Sequence, residues 1–297
     1  AAALNEVRAR VRTGVTAPDE IVDVRGALDR MRLVKDAHEL ALMRRAGAIS
    51  SEAHRRAMAR ARPGWHEYEV EAELAHEFLR QGAQAVAYPS IVASGPNACV
   101  LHYRDNDRRM ADGDLILIDA GCEFRGYASD ITRTFPVNGR FTGPQKDVYE
   151  VVLAAQLACI EAVRPGVPFH DYHRVAERVL AQGLVDLKLI DGPLDAALES
   201  GSYKRFYMHR AGHWLGMDVH DAGHYQEKGE SVKLEPGMVL TVEPGLYLRA
   251  GDGVPAHFAD IGVRIEDDVV VTADGVENLT GHTPKTVAEV EAACGVR

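Results

Sequence analysis

Apolar positions along the first third of the chain predict two helices followed by several strands. A long helix is predicted from Asp36, because Asp36 and Glu39 have the spacing of a capping box, to the Arg-Pro-Gly at 62–64. A second helix is predicted from about Glu67 to residues 81–82, where glycine suits a left-handed cap. Strand-like segments follow at residues 85–88, 91–92, 100–101 and 115–118.

The same order of elements returns about 100 residues later. Pro144 stands at a predicted first helical position, and that helix should end at a second Arg-Pro-Gly, residues 164–166. Another helix is predicted from about His170 to Gln182 and Gly183. Strands with acidic residues or histidine follow each copy. We interpret the chain as a duplicated α+β fold with a binding cleft where the two halves meet.

Four carboxylates and one imidazole occur in short, unusual contexts within those strand regions: Asp119, Asp130, His213, Glu243 and Glu266. This oxygen-rich set suits Mn²⁺, Co²⁺ or Zn²⁺ in an open catalytic site. Four carboxylates in one pocket would repel one another, and two divalent ions would offset that charge and activate a water molecule. Singly, each acid also fits a turn, a helix cap or a solvated acidic run.

Composition excludes some functional classes. The 297-residue chain can form one large domain or two smaller ones, and its formal net charge of −10 argues against a nucleic-acid partner. No apolar run reaches membrane-spanning length, so no membrane partner is expected. Cys99, Cys122, Cys159 and Cys294 lack C-x-x-C spacing, which indicates reduced thiols and a cytoplasmic location. Cys122 is interpreted as a small buried residue rather than a nucleophile.

A cluster of histidines adds a second signal. His209 and His213 have a helical i, i+4 spacing, as in one group of zinc proteases. Arg210 stands where that motif requires glutamate, so this zinc-protease interpretation is poor.

Four extended segments carry a more specific resemblance. Residues 119–136, 213–221, 234–245 and 261–267 hold the five ligands in order and resemble the pita-bread metallopeptidases, most closely the aminopeptidase P (Xaa-Pro aminopeptidase) group. The resemblance covers about residues 26–290. It implies an α+β pita-bread fold, with two pseudo-symmetric αβ halves around a dinuclear metal site.

The resemblance also implies a role for each site residue. Two divalent ions would be bound, with manganese expected and zinc or cobalt as alternatives. Their ligands would be Asp119, Asp130, His213, Glu243 and Glu266. Outer histidines would position the scissile carbonyl and stabilise the tetrahedral intermediate, Glu243 would also shuttle a proton, and Arg264 would orient the carboxylates. These histidines are His102, His209 and His220.

The chain departs from the family pattern in two places. Arg210 stands where the family usually has glycine, which would narrow the pocket or redirect His209. The chain also begins without methionine, and residues 1–12 resemble the end of a helix. Residues 1–25 are therefore predicted to be a remnant or linker of a missing amino-terminal domain, and residues 26–297 to form the catalytic domain.

The resemblance implies that the protein removes the first residue from peptides whose second residue is proline. Two alternatives stay open: a prolidase that cleaves only Xaa-Pro dipeptides, and a non-catalytic pita-bread binding module. Peptides with an Xaa-Pro amino terminus are the expected partners, and a homo-oligomer is left open. The sequence does not fix the metal, the preferred peptide length or the physiological substrate.

Overall fold

The computed structural model describes residues 2–18 and 20–295, so Ala1 of the predicted opening helix and the last two residues of the predicted catalytic domain lie outside it. The helices are α1 (Ala2–Arg8), α2 (Arg25–Leu33), α3 (Ala37–Arg60), α4 (Glu67–Arg80), α5 (Gly143–Ala162), α6 (Asp171–Asp186), α7 (Leu194–Ser200) and α8 (Val287–Cys294). None of these helices is both long and apolar enough to cross a membrane.

The strands are short and form several small antiparallel sheets. In chain order they are β1 (Ala85–Val86), β2 (Ile91–Ser94), β3 (Leu115–Asp119), β4 (Cys122–Phe124), β5 (Tyr127–Ala128), β6 (Thr132–Pro136), β7 (Gln226–Glu227), β8 (Glu230–Ser231), β9 (Val239–Val242), β10 (Gly245–Leu248), β11 (Ile261–Arg264), β12 (Asp267–Val271) and β13 (Val276–Asn278). The sheets have the orders β2-β3-β6, β13-β12-β9, β1-β4-β5, β10-β11 and β7-β8.

Each half of the fold combines a helix pair with a three-stranded sheet. In the first half α3 packs against α4, and the predicted capping box is present: Asp36 accepts from the Glu39 amide at 2.9 Å, and Glu39 accepts from the Asp36 amide at 2.7 Å. Beyond α4, Gly82 has a φ of +91°, as the predicted left-handed turn requires. In the second half α5 packs against α6.

Two local predictions were wrong. The second helix of the second half does not stop at Gly183 but continues to Asp186. A Cβ at Gly183 would lie 2.3 Å from Cγ1 of Val151 on α5, so this glycine permits close helix packing rather than ending α6. Residues 100–101 form a turn instead of a strand, because the Val100 amide donates back to Asn97 at 2.9 Å.

A buried ion pair joins the two halves. Arg133 on β6 is fully buried and donates to Asp267 on β12 at 2.6 Å, and Lys285 donates to the same carboxylate at 2.6 Å. Arg133 also donates to the carbonyl oxygens of Pro284 at 2.9 Å and Glu266 at 2.6 Å. These contacts fix β6 against β12, and the candidate site lies beside this junction.

Candidate metal centre

The two acidic residues of the first half lie at neighbouring strand ends. Asp119 is the last residue of β3, the central strand of its sheet, where it pairs with Ile91 on one side and Thr132 on the other. Asp130 lies just before β6, and its amide donates to Asp268 at 3.1 Å. Both carboxylates therefore lie at the ends of the strands that face the second half.

The other three predicted ligands come from the second half. His213 is held beside β9 because its amide donates to Oγ1 of Thr241 at 3.1 Å and its carbonyl accepts from the Thr241 amide at 2.9 Å. Glu243 lies between β9 and β10. Glu266 lies between β11 and β12, and its amide donates to the Thr132 carbonyl at 3.0 Å.

The structure brings these side chains together. Asp130, His213 and Glu266 each offer a ligand atom, and these three atoms lie within 4.8 Å of one another. His213 Nε2 is 3.5 Å from Asp130 Oδ2 and 3.8 Å from Glu243 Oε1. Asp119 is linked to Asp130 by one tyrosine hydroxyl that contacts both carboxylates.

The electrostatics show that the cluster has too little positive charge. Burial raises the pKa of Glu266 well above its usual range, and the charges of Asp130 and Glu243 raise it further. Burial also raises the pKa of Glu243 to about 7, although the charge of His213 opposes this. Burial lowers the pKa of His213, but its hydrogen bond to Asp130 and the charge of Glu243 outweigh that effect and raise it to about 9.

This donor set fits a divalent cation. Nδ1 of His213 is 2.9 Å from the Trp214 carbonyl, which can only accept, so Nδ1 carries a proton. Nε2 lies 3.5 Å from Asp130 and 3.8 Å from Glu243 and, on losing its own proton, would present its lone pair to a cation between these groups. Hard carboxylate oxygens and one imidazole nitrogen are ligands that suit Mn²⁺ or Zn²⁺. A cation among them would also relieve the repulsion between the acids.

Sequence reasoning missed Tyr88. Its hydroxyl contacts Asp119 Oδ1 at 2.6 Å and lies closer still to Asp130 Oδ1. Burial and both carboxylate charges raise the pKa of Tyr88 well above its usual range, so it stays a neutral donor. Its position at the end of the strand-like segment 85–88 was visible in the sequence, but nothing there connected it with residues 31 and 42 positions away.

Arg264, which the resemblance placed beside the carboxylates, connects two parts of the site. Its Nη2 donates to Asp119 at 2.6 Å and its Nη1 to the Tyr247 hydroxyl at 2.9 Å. Tyr247 lies 2.9 Å from His209 Nε2, and His209 Nδ1 lies 2.8 Å from the Arg210 carbonyl. A carbonyl only accepts, so His209 carries its proton on Nδ1 and accepts from Tyr247. Both of its nitrogens therefore contact protein.

Two adjoining cavities surround the five ligands, and both are lined by His102, Asp119, His213 and Glu243. The Arg210 lobe, of about 400 Å³, adds Leu101, His209, Arg210, Gly212, Tyr225 and Arg264. The His220 lobe, of about 390 Å³, adds Tyr88, Ile91, Arg104, Asp130, Asp218, Val219, His220 and Glu266. All predicted site residues therefore line one continuous cleft.

The outer histidines differ in exposure. His102 is exposed and lines both lobes. His220 is also exposed, and its ring centroid lies 4.3 Å from that of His213 in an edge-on arrangement. Cys122, by contrast, is buried outside the cleft, and burial raises its pKa, which suits a packed thiol and not a nucleophile.

Comparison with known proteins agrees with this geometry. The chain is 47% identical over 290 residues to the Xaa-Pro aminopeptidase of Escherichia coli, an alignment covering 98% of this chain and 66% of that protein. It is 50% identical over 272 residues to the Xaa-Pro aminopeptidase of Haemophilus influenzae, covering 92% of this chain and 63% of that protein. The chain thus spans about two thirds of the length of these relatives.

Solved structures give the same result and confirm the expected α+β pita-bread fold. The aminopeptidase PepP of Pseudomonas aeruginosa superposes with a TM-score of 0.95 at 54% identity, covering 98% of this chain and 66% of that one. A zinc-substituted aminopeptidase P of E. coli in complex with product superposes with a TM-score of 0.94 at 47% identity, with the same coverage. A sequence model of metallopeptidase family M24 matches residues 41–273. By sequence, fold and its divalent metal site, the chain belongs to metallopeptidase family M24.

Proposed function

We propose that the chain is the catalytic part of an Xaa-Pro aminopeptidase, which removes the first residue from peptides with proline second. The observation that carries the proposal is the convergence of acidic and imidazole ligands from both halves in one cleft. The identity to two bacterial Xaa-Pro aminopeptidases supports the same activity. The scissile amide before proline is tertiary, so it has no N–H for an enzyme to recognise.

In this proposal two divalent ions bind at Asp119, Asp130, His213, Glu243 and Glu266. Manganese is the proposed metal, and zinc is a reasonable substitute because an E. coli relative has been solved with zinc. When bound, the metals would neutralise the carboxylate cluster, polarise the scissile carbonyl and lower the pKa of a water molecule.

Glu243 is the proposed proton carrier. Its carboxylate lies 3.8 Å from His213 and 3.9 Å from His209, at the boundary of the two lobes. It would accept a proton from the water that attacks the peptide carbonyl carbon. When the C–N bond breaks, it would return that proton to the proline nitrogen, which gives a free amino acid and a peptide that begins with proline.

The outer residues would act on the substrate carbonyl. His102 and His220 both line the cleft beside Glu243, and each could donate an N–H to the developing oxyanion. Arg264 would hold Asp119 in place through its 2.6 Å hydrogen bond. His209 contacts protein through both nitrogens, so its proposed contact with the substrate requires its bond to Tyr247 to open.

Several parts of the proposal concern the whole protein. The division into a remnant at residues 1–25 and a catalytic domain at residues 26–297 stays a prediction. A cytoplasmic location is supported by the buried free thiols of Cys99, Cys122 and Cys159. Peptides with an Xaa-Pro amino terminus are the proposed substrates.

The test is hydrolysis of a matched peptide series by the purified, metal-loaded chain. Xaa-Pro-Yaa should be cleaved in the presence of Mn²⁺, Xaa-Ala-Yaa should be cleaved much more slowly, and a chelator should abolish both reactions. Metal analysis should find two ions per chain. Comparing Mn²⁺, Zn²⁺ and Co²⁺ at equal occupancy identifies the metal that supports turnover.

Length dependence separates the alternatives. Cleavage of the Xaa-Pro dipeptide alone would favour a prolidase over an aminopeptidase. Stoichiometric metal binding without hydrolysis of any peptide in the series would contradict the proposal and favour a binding module. Activity that persists without metal would contradict the assigned ligands.

A further inference from the structure

Arg210 lies on the wall of the substrate cleft but has no part in the reaction described above. Its side chain is exposed and lines the Arg210 lobe together with His102, His209 and Glu243. It also lines a neighbouring surface cavity of about 550 Å³ formed with His170 and Ser231. The guanidinium group therefore lies where the cleft opens towards solvent.

The Arg210 side chain is oriented by a neutral partner. Its Nη1 lies 3.2 Å from Nε2 of His170. Arginine can only donate, so His170 accepts at Nε2 and carries its proton on Nδ1, which lies 3.0 Å from the Ser231 hydroxyl. The Ser231 hydroxyl also accepts from the His170 amide at 3.1 Å. This relay fixes the direction of the guanidinium without neutralising its charge.

The charge of Arg210 is available to a ligand. Among residues 2–18 and 20–295, its side chain has no carboxylate within ion-pair distance, and the contact with His170 is its one hydrogen bond. The other arginine of this lobe, Arg264, is already bonded to Asp119 and Tyr247. Arg174, in the neighbouring surface cavity, is paired with Asp171 at 2.8 Å.

The two lobes also differ in charge. Apart from the residues they share and the proposed metal ligands Asp130 and Glu266, whose charge bound ions would neutralise, the Arg210 lobe has two cationic side chains, Arg210 and Arg264. In the His220 lobe, the acid Asp218 is matched by Arg104. A short peptide has a positive amino end and a negative carboxyl end. The excess of positive charge in the Arg210 lobe favours a substrate whose carboxyl end lies towards Arg210.

From this geometry we propose that Arg210 binds a substrate carboxylate on the carboxyl-terminal side of the scissile bond and thereby determines peptide specificity. The inference rests on the proposed Xaa-Pro aminopeptidase activity and deepens it. Two sources could supply the carboxylate: the carboxyl terminus of a short peptide, or an Asp or Glu side chain in a longer one. A planar guanidinium can bind either in a bidentate manner.

The experiment compares peptides that differ only in that carboxylate. The first pair is Xaa-Pro-Ala as the free acid and as the amide, and the second is Xaa-Pro-Glu-amide and Xaa-Pro-Gln-amide. The ratio of kcat/KM within each pair is measured for the unaltered metal-loaded chain and for Arg210→Gln. A ratio that falls about tenfold in the variant, the scale of one lost charge-assisted hydrogen bond, identifies the source of the carboxylate.

Two further variants make the result specific. Arg210→Lys should retain part of the preference, because it keeps the charge but loses the planar pair of donors. Arg174→Gln removes a nearby charge that does not line the Arg210 lobe, and it should leave both ratios unchanged. If Arg210→Gln leaves both ratios within about twofold of the unaltered chain, the inference is wrong, since a real contact would give the tenfold change above.

A binding measurement separates this inference from the proposed function. Calorimetry does not require turnover and is carried out with two matched pairs: the dipeptide Pro-Ala and its amide, and Pro-Glu-amide and Pro-Gln-amide. Weaker binding to Arg210→Gln of the member of either pair that carries the carboxylate, with no change for its uncharged partner, would support carboxylate recognition even if no Xaa-Pro peptide were hydrolysed. Equal binding of the two members of both pairs to the unaltered chain would overturn the inference while leaving the proposed activity to the hydrolysis test.

Discussion

Two adjacent residues, Glu266 and Asp267, show how differently this protein treats buried carboxylates. Asp267 faces Arg133 and Lys285, both at 2.6 Å. Burial alone would raise its pKa, but these two charges outweigh burial and hold it well below its usual range. Glu266, one residue earlier, is equally buried, yet burial and the surrounding acids raise its pKa well above the usual range.

The difference in pKa follows from the direction in which each side chain points and from the charges that surround it there. Glu266 comes just before β12 and lines the cleft, whereas Asp267, the first residue of β12, points into the interior between the halves. Neighbouring side chains of extended backbone alternate in this way. The interior supplies cations from the protein itself. The cleft does not supply enough, and its excess negative charge is what a divalent metal would balance. A balanced buried carboxylate indicates structure, and an unbalanced one indicates function.

The largest effect should come from substituting Glu266, whose negative charge the surrounding protein does not neutralise. Glu266→Gln keeps the acceptor for the Thr132 hydroxyl, which lies 2.5 Å from Oε2, but removes a negative charge. We expect peptide hydrolysis to fall to background and metal content to drop. The free energy of unfolding of the metal-free protein should not decrease, because repulsion within the cluster is relieved.

Enzyme assays, metal analysis and urea denaturation of the metal-free form check these three expectations. Near-normal turnover with full metal occupancy would show that Glu266 is not a ligand. A metal-free variant several kcal/mol less stable than the unaltered chain would show that Glu266 is balanced after all, and would break the comparison with Asp267.

Asp267, whose negative charge is neutralised by Arg133 and Lys285, should respond in the opposite way to substitution. Asp267→Asn leaves Arg133 buried without its counter-charge, and losing one partner of a buried pair costs about 3–5 kcal/mol. Urea denaturation measures this loss in the free energy of unfolding. The matched control is Glu277→Gln, which breaks a half-exposed pair with Arg44 and should cost only about 0.2–1 kcal/mol. Equal losses in the two variants would contradict the structural role of Asp267.

Much of the site could be predicted from sequence because metal ligands occur in short motifs of distinctive residue types. Asp119, Asp130, His213, Glu243 and Glu266 were selected in this way, and the structure brings them to one cleft. Their individual roles stay predictions. The α+β fold was also predictable, because the capping box at Asp36 and the apolar run before Asp119 are local signals.

The rest depends on contacts between residues far apart in the chain. Tyr88 reaches the acids only because the fold brings it there, and a tyrosine at the end of a predicted strand carries no signal of its own. The Arg133–Asp267 pair spans 134 residues. Gly183 looked like a helix end because the same residue type serves tight turns and close packing, and only the neighbouring Val151 distinguishes the two uses.

His220 tests whether residues around the cluster act on substrate without binding metal. His220→Ala should lower kcat by roughly 10²-fold, the scale of a lost oxyanion donor, with little change in metal content. Steady-state kinetics and metal analysis measure both quantities. His224→Ala, an exposed histidine four residues further on, is the control and should leave both unchanged. If His220→Ala loses one metal ion, the residue is a ligand and the cluster is larger than proposed.

Tyr88 offers the smallest and most local test of the comparison. The hydroxyl is the neutral donor that connects Asp119 with Asp130, so Tyr88→Phe removes an orienting contact without changing the charge of the cluster. Removing a residue that hydrogen-bonds to metal ligands lowers metal affinity by about 10–100-fold. We expect a loss near the lower end of this range, because Arg264 still holds Asp119 at 2.6 Å. Competition with a chelator measures the affinity.

Tyr127→Phe is the control: it removes a hydroxyl bonded to Glu39 outside the cleft and should not change metal affinity. An unchanged metal affinity in Tyr88→Phe would mean that the metals alone position the carboxylates of Asp119 and Asp130. Charge, and not hydrogen bonding, would then determine the geometry of the cluster.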